Sequence, residues 1–391
     1  MKVNIVVGGT FHSLMWEKYI SEIGIDVKLY TSTPKFKLKG RIPLEKVTFV
    51  PKLSQIFRKV TKLDTPMYFR YLDEIIFDFI VSIVMRKCDV LHGWASECLI
   101  SAKKAKKNGA IFVLERACPH CIFQNNLLAK EAGRLNIKFG ISQQIEKRSL
   151  LEYVEADYII VPSTYTENSF VNRNILLDKI VKIPLQGKVD VPSIKKFQKS
   201  RSSDKFIVGV VGGNLLRKGF IYLLRAWDKM NIDNSYLYIK AEKNQLEKSN
   251  EIKEIIGRND NIKFVGYVEN INDFYQKCDI FCLPSIDEGY GMVVPEAMAN
   301  SLPVITTTNV GASDLINDSV NGFIVKPFNS EILEEKIMFF YNNRHEIEKM
   351  GVNSYFKYAD YLNSNDNCKN SIQKFYNSLN KLRPSQNKVA I

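Results

Sequence analysis

The chain has 391 residues, room for two or three domains at about 100–200 residues each, and its 45% hydrophobic and 25% charged residues exclude a disordered or fibrous protein. Seven cysteines, an odd number in a long chain, exclude a disulfide framework and point to a reducing compartment. The net charge of +13 is lopsided: residues 1–190 carry 29 Lys and Arg against 19 Asp and Glu, the remainder 26 against 23. A basic half meets nucleic acid, anionic lipid or a phosphorylated substrate, or simply presents a solvated surface.

In chain order, the first half offers apolar strands at "NIVV" (4–7), "DVKLY" (26–30), "KVTFV" (46–50), "DVLHG" (89–93), "AIFVL" (110–114) and "DYIIV" (157–161). The second half offers "FIVGVV" (206–211), "SYLYIK" (235–240), "NIKFVG" (261–266), "DIFCL" (279–283), "LPVITT" (302–307) and "NGFIV" (321–325). Helix-period segments lie between them, among them 97–107, 142–154, 219–229 and 331–341. Strand–helix alternation of this kind predicts parallel sheets covered by helices on both faces.

The start "MKVNIVVGGTFHS" is a strand entering glycines rather than a signal peptide. The most apolar run, "IIFDFIVSIVM" (75–85), is short for a membrane span and is interrupted by Asp78. The expectation is a cytoplasmic protein, with the inner face of the cytoplasmic membrane as its possible working surface. The stretch 33–62, basic with interspersed aromatics and prolines, is the segment that would meet anionic lipid, or else a solvated face.

Two strands, one in each half, run straight into "VGG", at 7–9 and 211–213. A strand feeding a glycine turn opens a nucleotide-binding α/β domain, and the turn's backbone N–H groups suit phosphate. Neither pair completes a Gly-x-Gly-x-x-Gly, which weakens a dinucleotide reading. The predicted organisation is α/β throughout: a Rossmann-like domain over 1–190, a Lys- and Ser-rich linker over 191–205, and a second Rossmann-like domain over 206–365. A helix over 366–383 crosses back to the first domain, and residues 384–391 form a tail.

The richest segment is "LPSIDEGYGMVVPEAMANSLPVITT" (283–307), in which Glu288 and Glu296 are separated by seven residues. A helix over 292–299 would aim its N-terminus at a cleft, with free N–H groups for a diphosphate and two carboxylates to accept from hydroxyls. Donors for phosphate beside acceptors for hydroxyls suit a sugar nucleotide.

This segment resembles the signature of retaining glycosyltransferases of family 4, which have the GT-B fold of two Rossmann-like domains facing across a cleft. "VGGNLLRKGFIYLLRAW" (211–227), "NIKFVGYV" (261–268), "VPSTYTENSF" (161–170), "IPLQGKVD" (183–190) and "GASDLINDSVNGFIV" (311–325) follow in the family's order. The resemblance implies that Glu296 binds the nucleotide's ribose and that Glu288 contacts the transferred sugar. It also implies that the backbone of Gly291, Met292 and Val293 meets phosphate or sugar oxygens, and that Lys218 neutralises the departing diphosphate. The family's usual Arg is replaced by Gly213, with Arg217 a substitute, and Asp314 stands where a Glu is common. Gly8 and Gly9 would approach the donor phosphate, and His12 and His92 are candidate acceptor contacts.

The same resemblance places a histidine after a first-domain strand, where "RACPHCIF" (116–123) offers His120 as a catalytic contact to the donor sugar, with His92 its rival. Read alone, Cys118-Pro-His-Cys121 is a Cys-x-x-Cys redox motif, but a thioredoxin-like unit explains neither the Glu pair nor the second domain. A metal site would need two more ligands. No Asp-x-Asp occurs, so no metal or other cofactor is expected. The implied reaction is sugar transfer from a UDP-, GDP- or ADP-sugar to a hydroxyl of a glycan or lipid-linked acceptor, in cell-envelope polysaccharide or lipopolysaccharide synthesis. No nucleic acid partner is expected. The alternatives are a sugar-nucleotide epimerase of the same fold, or a non-enzymatic basic protein binding anionic membrane or nucleic acid.

Overall fold

A computed structural model describes residues 1–55, 57, 66–171, 173, 177–187, 205–243 and 249–381. The predicted linker falls outside these residues apart from Lys205, and the predicted tail lies wholly outside them.

The first sheet contains β1 (Lys2–Val7), β2 (Asp26–Thr31), β3 (Val47–Phe49), β4 (Val90–Trp94), β5 (Ile111–Glu115), β6 (Tyr158–Val161) and β7 (Ile180–Lys182). Their order is β3-β2-β1-β4-β5-β6-β7, and every pairing is parallel. The second sheet contains β8 (Phe206–Val211), β9 (Ser235–Lys240), β10 (Ile262–Phe264), β11 (Ile280–Leu283), β12 (Val304–Thr307) and β13 (Gly322–Val325), in the order β10-β9-β8-β11-β12-β13. It is parallel too. Strands covered on both faces read as unbroken apolar runs, which is why β4, β11 and β12 are buried along their full length. All twelve predicted strands form, and β7 is additional.

Helices cover both sheets, and several starts carry side-chain caps. Ser142, Ser249 and Asn329 accept from the N–H groups of Ile145, Ile252 and Ile332, which fits their residue types. The last helix, Cys368–Lys381, packs on Ser13–Ser21 and buries Ile372, Phe375, Tyr376 and Leu379 in the first domain's core. Conversely, Leu128 and Ala132 of the first-domain helix Cys121–Arg134 join the second domain's core.

In both sheets the strand order reverses beside the first strand of the domain. The crevices therefore open at the C-terminal ends of β1 and β4, and of β8 and β11. These ends carry Gly8–His12 and Ala95–Cys98 in one domain, and Gly212–Lys218 and Pro284–Glu288 in the other.

The helix Met67–Val84 contains most of the run weighed above as a membrane span. It lies at the surface with its carboxylates turned inward: Asp73, Glu74 and Asp78 are buried. Asp73 accepts from the Leu53 N–H at 2.6 Å. Asp78 accepts from the N–H groups of Ile100 (2.6 Å) and Ser101 (2.9 Å), capping the helix Leu99–Lys107, and pairs with Arg148. Among the described residues, no helix is long and apolar enough to cross a membrane.

Candidate active site

In the second domain, the loop after β8 is strapped to the loop after β11. The Arg217 carbonyl accepts from the Ile286 N–H at 3.0 Å and the Asp287 N–H at 3.3 Å. Gly219 closes this loop in the left-handed region (φ 62°), and a Cβ there would lie 2.2 Å from the Pro284 carbonyl oxygen. No other residue fits that approach without moving the loop.

The strap sets two cations against Glu288. Lys218 Nζ lies 2.6 Å from Glu288 Oε2 and Arg217 Nη1 lies 3.4 Å from Glu288 Oε1. Lys218 and Glu288 are buried and Arg217 is half-buried, so two cations share the one carboxylate of Glu288 away from most solvent. Gly213, where the resemblance notes a missing Arg, is exposed. Gly291 and Met292 lead into the helix Val293–Ala299, shorter by one residue than predicted. Glu296 lies in its first turn and accepts from the Tyr275 hydroxyl at 2.9 Å. Lys218, Arg217 and Glu288 are therefore brought together, while Glu296 stands on the neighbouring helix.

The first domain is built differently. Gly8 donates its N–H to Glu97 Oε2 at 2.5 Å, and Glu97 Oε1 pairs with Lys52 Nζ at 2.6 Å. A carboxylate thus occupies the Gly8 amide that was expected to face donor phosphate. The Gly8 and Gly9 carbonyls accept from Ser32 and Thr31. His12 precedes the helix Ser13–Ser21, and its Nε2 lies 2.7 Å from Glu115 Oε1. Glu115 Oε2 lies 3.4 Å from His92 Nε2, and His92 Nδ1 lies 2.7 Å from the Tyr376 hydroxyl.

His92 is fully buried between Trp16, Trp94 and Tyr376, so its expected contact with an acceptor is corrected: the ring touches no open surface. Burial pushes its pKa down and outweighs Glu115. For Glu115, burial pushes upward, but His12 and His92 pull harder and leave the carboxyl below its usual range. His12 alone of the pair keeps partial access to solvent.

His120 caps the helix Cys121–Arg134 by position, and its N–H donates to Ser169 Oγ at 2.9 Å. Its ring packs on Tyr153 and Phe170 with 3% exposure. Burial, then the charges of Arg173 and Arg116, lower its pKa to about 4, so the imidazole is neutral at neutral pH. The ring packs inside the first domain, whereas the sequence reading had it facing the donor sugar. Cys118 and Cys121 are unbridged, and burial pushes the Cys121 thiol upward, opposite to what a redox thiolate needs.

The sequence reading missed the contacts that join the two domains. Asp287, fully buried, accepts from Gln124 Nε2 at 2.5 Å and from the Tyr165 hydroxyl at 2.9 Å. Burial pushes its pKa up. The Gly289 carbonyl accepts from Ser163 Oγ at 2.7 Å and Thr166 Oγ1 at 3.0 Å, and the Thr164 N–H donates to Asp314 at 2.9 Å. A Cβ on Gly289 would lie 1.9 Å from the Ala117 carbonyl oxygen, so only glycine permits this approach. Asp287 stood one residue before Glu288 in the signature; its partners, 122 and 163 residues away, carry no local signal.

Two parallel-sheet Rossmann-like domains with their crevices face to face make this a GT-B fold. Among solved structures, Anabaena HepE in complex with UDP-glucose superposes with a TM-score of 0.69 over 98% of this chain and all of that one, at 16% identity. Residues 193–356 match the family model of glycosyl transferases group 1, so the chain carries a domain of that group. The capsular polysaccharide biosynthesis glycosyltransferase CapM of Staphylococcus aureus is 31% identical over 155 residues, 39% of this chain and 40% of that protein. A 41.2 kDa protein of the Klebsiella pneumoniae cps region is 22% identical over 75% of this chain and 82% of its own length. The matches to CapM and to two uncharacterized glycosyltransferases, from Haemophilus influenzae and Methanocaldococcus jannaschii, cover less than half of each relative.

Proposed function

We propose that the protein is a retaining glycosyltransferase of family 4 that moves a sugar from a nucleotide diphosphate donor to a glycan or lipid-linked acceptor in cell-envelope polysaccharide synthesis. The observation that carries this reading is the Arg217–Lys218–Glu288 cluster at the mouth of β8 and β11, facing the first domain. Two cations beside a helix start suit a diphosphate, and the negative charge that grows on it as the glycosidic bond breaks is stabilised there. UDP and glucose are bound by the similar HepE, which supports a nucleotide sugar as ligand.

In this reading the diphosphate takes over Arg217 and Lys218, and Glu288 is released to accept from sugar hydroxyls. Glu296 accepts from the ribose. The backbone at Gly291, Met292 and Val293 meets phosphate or sugar oxygens. The acceptor enters over the first domain's crevice, where Glu115 holds the His12 imidazole in one orientation. The attacking hydroxyl approaches the face that the diphosphate leaves, which retains configuration. The contacts of Asp287 and Gly289 hold the domains closed and exclude water from the departing sugar. The anionic inner leaflet is the proposed place of work.

A thermal-shift screen against UDP-, GDP- and ADP-sugars tests the donor class, since a ligand of the native state raises its melting temperature. At least one is expected to do so; no shift with any of them contradicts the reading. Turnover of that donor without acceptor would favour an epimerase.

A further inference from the structure

The helix Met67–Val84 is apolar on both sides: Phe77 and Val81 are buried in the first domain's core, and a second apolar stripe faces outward. A surface helix ordinarily turns its apolar stripe inward and its charges to water. Here Tyr68, Leu72, Ile76, Phe79 and Ile83, spaced by three and four residues, are all exposed, whereas Asp73, Glu74, Asp78 and Ser82 are buried. Phe79 is 54% exposed and Ile83 60%. The stripe runs most of an 18-residue helix, about 27 Å at 1.5 Å per residue. Leu53, anchored through its N–H to Asp73, is exposed beside it.

Among the described residues, exposed cations border the stripe. No carboxylate of this helix reaches the surface. Arg70 is exposed in its first turns, and Lys87 just beyond its end. On the adjoining helix Leu99–Lys107, Lys104 reaches across to the Ser82 carbonyl, and Lys107 follows one turn on, exposed. An apolar ridge bordered by cations matches the surface of an anionic bilayer, with side chains in the acyl boundary and ammonium groups among the headgroups. A second copy of this chain would set the same cations against one another.

We propose that this helix is a membrane-docking face, on which the protein lies against anionic phospholipid. The face is centred on a helix outside the stretch 33–62 that the sequence pointed to and adjoins that stretch at Leu53, and it does not depend on the activity proposed above. Flotation with phosphatidylglycerol–phosphatidylcholine vesicles, without any sugar nucleotide, tests it against phosphatidylcholine alone. The parent is expected to float with the anionic vesicles only. Phe79→Glu with Ile83→Glu should lower that binding by about tenfold or more without changing the melting temperature. Should that variant misfold, Phe79→Ser with Ile83→Ser gives the graded version. Lys87→Glu with Lys107→Glu should weaken binding and flatten its salt dependence. A parent that stays off the vesicles, or a folded stripe variant that floats like the parent, overturns the proposal. So does a parent dimer in gel filtration that the stripe variant dissolves.

Discussion

The two crevices that face each other are built in opposite ways. In the second domain, Arg217 and Lys218 come from one turn and Asp287, Glu288 and Glu296 from one short segment, held together by backbone bonds from Arg217 to Ile286 and Asp287. In the first domain, Gly8 meets Lys52 and Glu97, and His12 reaches Tyr376 through Glu115 and His92. A site made from contiguous chain has a sequence signature; a site made from side chains scattered along the chain does not. The contrast extends to charge: in the second domain two cations share the one carboxylate of Glu288, while in the first domain Glu97 takes up both the Gly8 amide and Lys52.

The largest effect expected from this contrast is at Lys218. Lys218→Ala should lower kcat by about 10²–10³, the cost of losing one donor to developing charge, and should also lower the melting temperature, because it leaves the buried Glu288 carboxylate with Arg217 alone. Steady-state kinetics with the identified donor measures it. A fall in melting temperature with unchanged kcat would make Lys218 a structural partner of Glu288 only.

Next is Gly289, which joins the two crevices. Gly289→Ala should cost about 1–3 kcal/mol in denaturant unfolding, because the new Cβ overlaps the Ala117 carbonyl oxygen. Unchanged stability would mean that the domains separate at no cost and that the closed contacts are weak.

The smallest is a pH effect at His120. Its pKa lies at about 4 in the fold, below the ordinary 6.5, so the unfolded chain binds the proton more readily between those values. The stability held at neutral pH is therefore lost as pH falls from about 6.5 toward about 4. His120→Gln should flatten that part of the slope in unfolding curves. An unchanged slope would place the imidazole in contact with solvent, nearer to the sugar-facing position that the sequence reading gave it.

Much of the fold was legible because parallel strands buried on both faces leave unbroken apolar runs, and all twelve of those read from the chain became strands. The strand Ile180–Lys182 was missed: an edge strand of three residues, none fully buried, lacks that pattern. The Glu288 and Lys218 pairing was half legible, since both residues were singled out and their contact was not. Asp287 was passed over because its role depends on Gln124 and Tyr165, whose positions only the packed domains define. The run within the helix Met67–Val84 was read as too short to span a membrane, and among the described residues no helix is long and apolar enough to do so. Which side of it faces outward was not legible, because hydropathy has no sign for inside or outside and the buried carboxylate of Asp78 caps a neighbouring helix instead.

The central claim, that a nucleoside diphosphate sugar binds across Arg217, Lys218 and Glu296, is tested most directly by calorimetric titration of the parent and of Glu296→Ala with the donor found by thermal shift. The account predicts saturable binding by the parent and at least about tenfold weaker binding by the variant, as expected when hydrogen bonds to a charged acceptor are lost. Equal affinity in the two proteins would contradict it.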